Sequence, residues 1–201
     1  MTNPRFSVII PAYNAAEYIA RGLNSIEQQT FRDFELIVVC DSCTDETASI
    51  ARNYTDRVLT VDFHLDGLTR NAGIDAARGE YLLFMDDDDW WMHREAFRQI
   101  SDALDANPGT DVLCFGFYWK NVGNCFQNQH RKFYAVWNKA WRREFVAGTR
   151  FPDRPYWSDV DFFNAMFNKQ PRTSYLNEVL YYYNYLRPGS ISWRKEKGEI
   201  E

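Results

Sequence analysis

The sequence predicts an α/β fold, a mainly parallel sheet flanked by helices, in a single domain over residues 1–201. Three observations predict it. Short apolar, β-branched runs alternate with amphipathic stretches through the first half of the chain, the pattern of βαβ units with right-handed crossovers. Apolar residues make up 45% of the 201, enough for one substantial buried core. No internal repeat or low-complexity linker divides the chain, although its halves differ in character: residues 1–90 read as a nucleotide-binding half and 91–201 as an acceptor and catalytic half.

Residues 6–10, FSVII, are apolar, β-branched at the centre and closed by Pro11, which marks a fully buried parallel strand. Asn14 stands three residues before Glu17, as an N-cap before an acid at N3, and Ile19, Leu23 and Ile26 follow at helical spacing, so a helix is expected over about 15–28. Residues 34–40 are the second strand, Ser42 and Thr44 are candidate caps for a helix over 45–53, and 58–61 form a third strand. A helix over 67–77 and a strand over 81–85 complete the first half. Beyond it the pattern predicts a helix over 93–106, a strand over 113–119, a polar loop or hairpin over 122–131, helices over 137–146 and 159–169, and a strand over 179–185.

The net charge of −5 argues against non-specific nucleic-acid binding. Residues 1–100 carry nine Arg, no Lys and seventeen acids, a net of −8, whereas 101–201 carry fourteen basic and eleven acidic residues, a net of +3. The first half is suited to a cation, and the second to an anionic acceptor or a membrane surface. The N-terminus has no signal-peptide pattern and no stretch approaches about 18 apolar residues, so a soluble, cytoplasmic protein is expected, with peripheral membrane association compatible with the basic half. Of the four cysteines, Cys40 and Cys43 form a C-x-x-C between strand and helix, where a redox dithiol would sit. Without a second C-x-x-C a four-cysteine zinc site is excluded, and the expectation is reduced thiols.

Ligands of open α/β sheets bind at the carboxyl ends of the strands. Here those ends carry Pro11, Ala12, Tyr13 and Asn14, then Asp41, then the run Asp86, Asp87, Asp88 and Asp89. Two like charges about 4 Å apart repel by about 4 kcal/mol at an effective dielectric near 20, so four adjacent carboxylates at the end of an apolar strand call for a cation. Oxygen-only ligands select a hard ion, Mg²⁺ or Mn²⁺. A calcium loop of the EF-hand type is excluded, because Trp90 and Trp91 stand where glycine and further ligands are needed.

With these motifs in hand, the chain resembles a family 2 glycosyltransferase of the GT-A fold, of the inverting, polysaccharide- or capsule-synthesising type. FSVIIPAYNAAEYIARGLNSIEQQTFRDFELIVVCDSCTDET is similar to that family's opening strand–helix–strand, and GLTRNAGIDAARGEYLLFMDDDD to its arginine–asparagine segment and acidic motif. WNKAWRREF, SDVDFF and YYYNYLRPGSIS resemble its later segments. The resemblance implies roles. Pro11, Ala12 and Tyr13 would wall the base pocket, Asp41 would accept from the base and favour uracil, and Arg70 would lie near the diphosphate. Asp86 and Asp88 would form the DxD, with Asp86 toward ribose and metal and Asp88 on the metal, while Asp87 and Asp89 shape the sugar pocket. Asp159 would be the catalytic base. The implied partners are a nucleotide-sugar donor, UDP-linked on the Asp41 argument, and a saccharide or lipid-linked acceptor. The sequence departs from the family where an acidic pair is frequent, which here reads Ser158-Asp159. Two other classes remain open: a non-catalytic nucleotide-sugar binder, and a sugar nucleotidyltransferase, although PAYNAAEYI lacks the glycine and lysine of a triphosphate loop.

Overall fold

The computed structural model describes residues 3–120, 122–128, 132–185, 188 and 190–199. Strand β1 (Phe6–Ala12) is the central hinge of the first half. It pairs in parallel with β2 (Phe34–Asp41) on one side and β4 (Tyr81–Phe84) on the other, and β3 (Val58–Val61) adds in parallel to β2. Pro11 lacks an N–H, and β4 runs beside β1 only from Phe6 to Ile9, so the proline sits past the shared ladder and leaves no bond unmade. Helices α1 (Ile19–Glu27), α2 (Thr47–Ala51) and α3 (Asp66–Ala76) make the crossovers. The period-2 alternation sorts the sheet residues into two layers. Val8, Ile10, Leu36 and Val38 bury against α1 and α4 (Ala96–Ala106), while Ile9, Ile37 and Val39 bury with Ile74 of α3 and with Phe162, Phe163 and Met166 of α6 (Ser158–Asn168).

The second half enlarges the same sheet. Its strands are β5 (Trp90–Trp91), β6 (Val112–Trp119), β7 (Gly123–Cys125), β8 (Lys139–Arg142) and β9 (Thr173–Tyr183). Among the described residues the order is β3-β2-β1-β4-β8-β6-β9-β5, with β7 on β6. The sheet is parallel through β1 to β4. Beyond β4, pairs β4–β8, β6–β8, β6–β7 and β5–β9 are antiparallel and only β6–β9 is parallel. β8 lies between β4 and β6 and ties the two halves into one sheet. Two short helices complete the elements, α5 (Arg143–Val146) and α7 (Ile191–Glu196). No helix among the described residues is long and apolar enough to cross a membrane.

Several expectations are corrected. The helix expected over 137–146 is strand β8 followed by the single turn α5, because residues 139–141 pair with β6 and β4 on both sides. The last strand begins at Thr173, not 179. α1 starts at Ile19, with Tyr18 at its N-cap; Asn14, at φ 45°, instead accepts the Thr44 N–H at 2.8 Å. Neither Ser42 nor Thr44 caps α2: Asp45 Oδ1 accepts from the Thr47 N–H at 3.0 Å and from its hydroxyl. Residues 129–131 of the expected 122–131 loop lie outside the described residues.

Candidate active site

The carboxyl ends of β1, β2 and β4 converge on one edge, as the sheet topology requires, and the acidic turn after β4 is fastened there from three directions. From the β1 side, the Tyr13 N–H donates to Asp87 Oδ2 at 3.1 Å, with the Tyr13 side chain exposed. From the α1 side, Gly22 lies flush against the turn, since a Cβ there would meet the Asp89 carbonyl at 2.7 Å. From β9, the Tyr181 hydroxyl donates to Asp89 Oδ2 at 2.6 Å and accepts from the Asp86 N–H at 3.1 Å, while the Asn184 N–H donates to Asp89 Oδ1 at 2.7 Å. Asp89 is therefore buried and anchors the turn to β9 and to Asn184 just past it. Burial, then the Asp88 and Asp86 charges, push its carboxyl well above the ordinary range.

Arg70 of α3 is the cation of the site. It is buried, pairs with Asp66 one turn earlier, and donates through Nη2 to Asp86 Oδ1 at 2.6 Å. Burial alone would lower its pKa, but Asp66, Asp86 and Asp159 together raise it, so it stays charged. Its Nε has no hydrogen-bond partner among the described residues. Asp86 is pushed up to about 6 by burial and by the nearby Asp66 and Asp88 charges, against the lowering influence of Arg70.

Asp159 enters from α6, in its first turn, on the same face of the sheet as α3. Its Oδ1 accepts from the Val160 N–H at 2.9 Å. Burial raises its pKa and the Arg70 charge opposes that rise, so the two side chains are electrostatic neighbours although 89 positions separate them. Asp161 points elsewhere and pairs with Arg154 at the surface. The approach of α6 to α3 depends on two small residues. A Cβ at Gly67 would stand 2.9 Å from the Ser158 Cβ, so the contact that brings Asp159 toward Arg70 has no spare room. Ser158, where the family often has an acid, is buried in that contact.

Asp41 ends β2 and is buried with its carboxylate already engaged. Oδ1 accepts from the Phe63 N–H (2.7 Å), the His64 N–H (3.0 Å) and the Ser42 hydroxyl (3.0 Å), and Oδ2 from the Leu65 N–H (3.1 Å) and the Thr69 hydroxyl (2.8 Å). Burial would raise its pKa, but these bonds outweigh it and hold the carboxyl below the usual range. Pro11 and Ala12 are buried beside it in β1, level with Val39 and Cys40 of β2. Cys40 and Cys43 are free thiols: Cys43 Sγ donates to the Ala12 carbonyl at 3.3 Å, and the side-chain bond from Cys40 draws it down to about 7 while pushing Cys40 up.

The donor set fits a hard divalent cation. Asp66, Asp86 and Asp159 surround the Arg70 guanidinium and Asp88 adds its charge beside Asp86, which leaves excess negative charge among the described residues. No group of three or more His, Cys, Asp or Glu side chains arranged as a metal cage occurs among the described residues. A site built from one or two carboxylates and completed by substrate phosphates matches that arrangement and is the usual way Mg²⁺ is held.

Sequence reasoning missed Asp66 and Tyr181. Asp66 was readable in principle, since it lies four residues before Arg70 on one helix face. Tyr181 was not, because its partners are 92 and 95 residues away.

A mixed sheet with helices on both faces, its nucleotide edge marked by an acidic turn, defines a GT-A-type α/β domain. Residues 7–175 match the glycosyl transferase family 2 profile, and the chain belongs to that family. Among curated relatives it is 26% identical to the glycosyltransferase GlyA of Streptococcus pneumoniae, over 96% of this chain and 32% of GlyA. It is 28% identical to the putative glycosyltransferase EpsH of Bacillus subtilis, over all of this chain and 66% of EpsH. The chain thus spans between a third and two thirds of those proteins. Among solved structures, Staphylococcus aureus TarS residues 1–349 in complex with UDP-GlcNAc superposes with a TM-score of 0.81 at 27% identity, covering 92% of this chain and 60% of that one. The mannosyltransferase PcManGT of Pyrobaculum calidifontis, solved with GDP-Man and Mn²⁺, shares the fold at a TM-score of 0.74 and 20% identity, over 99% of this chain and 62% of that one.

Proposed function

We propose that this chain is an inverting, metal-assisted glycosyltransferase that moves a sugar from a UDP-sugar to a hydroxyl of a saccharide or lipid-linked acceptor. The observation that carries the reading is the placement of Asp159: a half-buried carboxyl in the first turn of α6, within electrostatic reach of Arg70, which itself pairs with Asp86 of the acidic turn. A base must lie on the acceptor side of the reacting carbon, opposite the leaving diphosphate, and two separate elements provide those two sides. The S. aureus TarS complex with UDP-GlcNAc, at 27% identity over most of this chain, supports a uridine donor.

In this reading the acceptor oxygen attacks the anomeric carbon as the bond from that carbon to the diphosphate oxygen breaks, and Asp159 takes the hydroxyl proton. One displacement inverts the anomeric configuration. Arg70, fully charged and with Nε unpaired, lies where it can donate to the diphosphate. Asp86 and Asp88 would hold Mg²⁺ or Mn²⁺, which supplies positive charge beside the leaving group. Tyr13, exposed beside buried Ala12, would cover the base. The test is Asp159→Asn, with turnover measured beside calorimetric UDP-sugar affinity. Turnover should fall by about 10²–10⁴ with affinity changed by only a few-fold. Turnover near the wild-type rate removes Asp159 as the base, and a wild type that binds the donor without transfer identifies a binding protein instead.

A further inference from the structure

Trp157 sits immediately before Ser158 and Asp159, at the N-cap of α6, and three features of it work against stability. Its backbone is left-handed, φ 63° and ψ 20°, a conformation that a bulky L-residue adopts only when its surroundings force it. It makes no side-chain cap hydrogen bond, although this position favours Ser, Thr, Asp or Asn, which do. Its indole is 45% exposed, on a chain that otherwise buries most of its large rings. Among the described residues the charged neighbour on the ring is Lys195 of α7, whose Nζ lies 4.2 Å from the ring centroid. Strain, a missing cap and an exposed aromatic together, next to buried Ser158 and half-buried Asp159, mark a residue kept for what it binds.

We infer that Trp157 is the platform for the acceptor, and that the acceptor at this position is a ring saccharide whose C–H face lies on the indole with a hydroxyl toward Asp159. An indole is a flat apolar surface with a polar edge, suited to the apolar face of a pyranose, and Lys195 stands at the same ring to donate to sugar hydroxyls. This inference rests on the reading of Asp159 as the base, and adds the acceptor class to it. It separates this chain from a poly(ribitol-phosphate) enzyme, the activity that TarS is named for, because an open-chain polyol phosphate has no such face to stack.

The experiment uses the full chain with ¹⁵N-labelled tryptophan, with UDP and Mn²⁺ present and UDP affinity measured by calorimetry. The Trp157 indole N–H is identified by its absence in Trp157→Phe. Chitobiose, cellobiose, lactose and ribitol 5-phosphate are then titrated separately. The Trp157 signal should move with at least one disaccharide and stay still with ribitol 5-phosphate. Trp157→Gly suits the left-handed backbone while removing the ring. It should weaken that disaccharide by about tenfold or more, keep UDP affinity within about twofold and raise Tm. Trp157→Tyr should recover most of the disaccharide affinity. A Trp157 signal unmoved by every disaccharide, or moved by ribitol 5-phosphate alone, overturns the inference. So does a Trp157→Gly chain that loses UDP affinity in step with the sugar, or one that melts lower, since either makes the residue structural. If UDP binds and the disaccharides do not, only this inference falls. If the wild type does not bind UDP either, the donor reading falls with it.

Discussion

Gly67→Ala tests whether the α3–α6 contact sets the catalytic geometry. The added Cβ would stand 2.9 Å from the Ser158 Cβ, 3.0 Å from the Pro152 carbonyl oxygen and 3.1 Å from the Phe151 Cβ. Carbon pairs settle at about 3.5–4.0 Å, so α6 must retreat by roughly 0.6–1.1 Å along that direction. None of the three obstacles is the tip of a flexible side chain, so backbone has to move. Overpacking of this kind costs about 1–3 kcal/mol, against a gain of up to about 1 kcal/mol from replacing a helical glycine, for a net loss of about 0–2 kcal/mol in urea denaturation. The effect on activity should be larger than the effect on stability. Asp159 is carried on the retreating helix while Arg70 and the acidic turn stay behind, and a misplacement near 1 Å can lower turnover by about 10²-fold. The assay pairs turnover with UDP-sugar affinity, which should hold within a few-fold because the acidic turn after β4 is not among the groups the added Cβ meets. Wild-type turnover in Gly67→Ala, with the mutant folded, refutes the claim that this contact positions the base.

The remaining predictions concern charge. UDP should bind weakly in chelator and more tightly with Mn²⁺, and Asp88→Ala should abolish the difference; equal affinity in both by calorimetry removes the metal role. Lys139 is fully buried, donates to the Phe133 and Ala135 carbonyls and to Asn138 Oδ1, and is lowered from 10.5 to about 8, chiefly by burial. The unfolded chain therefore binds this proton more tightly, so Lys139 contributes an unfolding free energy that rises with pH between about 8 and 10.5, by roughly 3 kcal/mol in all. Lys139→Met should be less stable near neutrality, because three acceptors lose their donor, and should lack that rise in a pH series of urea melts. Cys43, half-buried with a thiol near 7, should be alkylated by iodoacetamide well before the buried Cys114 and Cys125, as peptide mapping would show.

The strands of the first half were legible because each is buried on both faces and bounded by turn residues, so β-branched runs such as 6–10 and 34–40 admit one reading. Strand ends then placed Tyr13, Asp41 and the acidic run on one edge without any coordinates. β8 defeated the same reasoning. Residues 139–142 read KAWR, with a lysine and an arginine that look solvent-facing, yet Lys139 is buried because backbone carbonyls receive its charge. Local pattern cannot report a partner of that kind. The four aspartates are equally opaque from sequence. Asp89 differs from Asp88 only through Tyr181 and Asn184, which reach it from β9 and from the residue just past it. The α1 start failed for a related reason: Asn14 had two uses for its carboxamide, and the contact with Thr44 across the neighbouring loop prevailed over a local cap.

The electrostatics of the site argue for its being built around ligands. Asp66 and Arg70 come from α3, Asp86 and Asp88 from the turn after β4, and Asp159 from α6, so folding itself brings three carboxylates to Arg70 and a fourth beside Asp86. A fold selected for stability alone would place such groups in water, where like charges 4 Å apart interact by only about 1 kcal/mol. Here burial and mutual repulsion lift Asp86 to about 6 and raise Asp89 and Asp159 as well, so the apo site is strained toward protonation. A divalent cation would keep Asp86 ionised to lower pH and offset its repulsion with Asp66 and Asp88, and a diphosphate would bring an acceptor for Arg70 Nε. Each ligand would thus relieve an electrostatic defect that the other leaves, which predicts that cation and diphosphate bind cooperatively rather than independently.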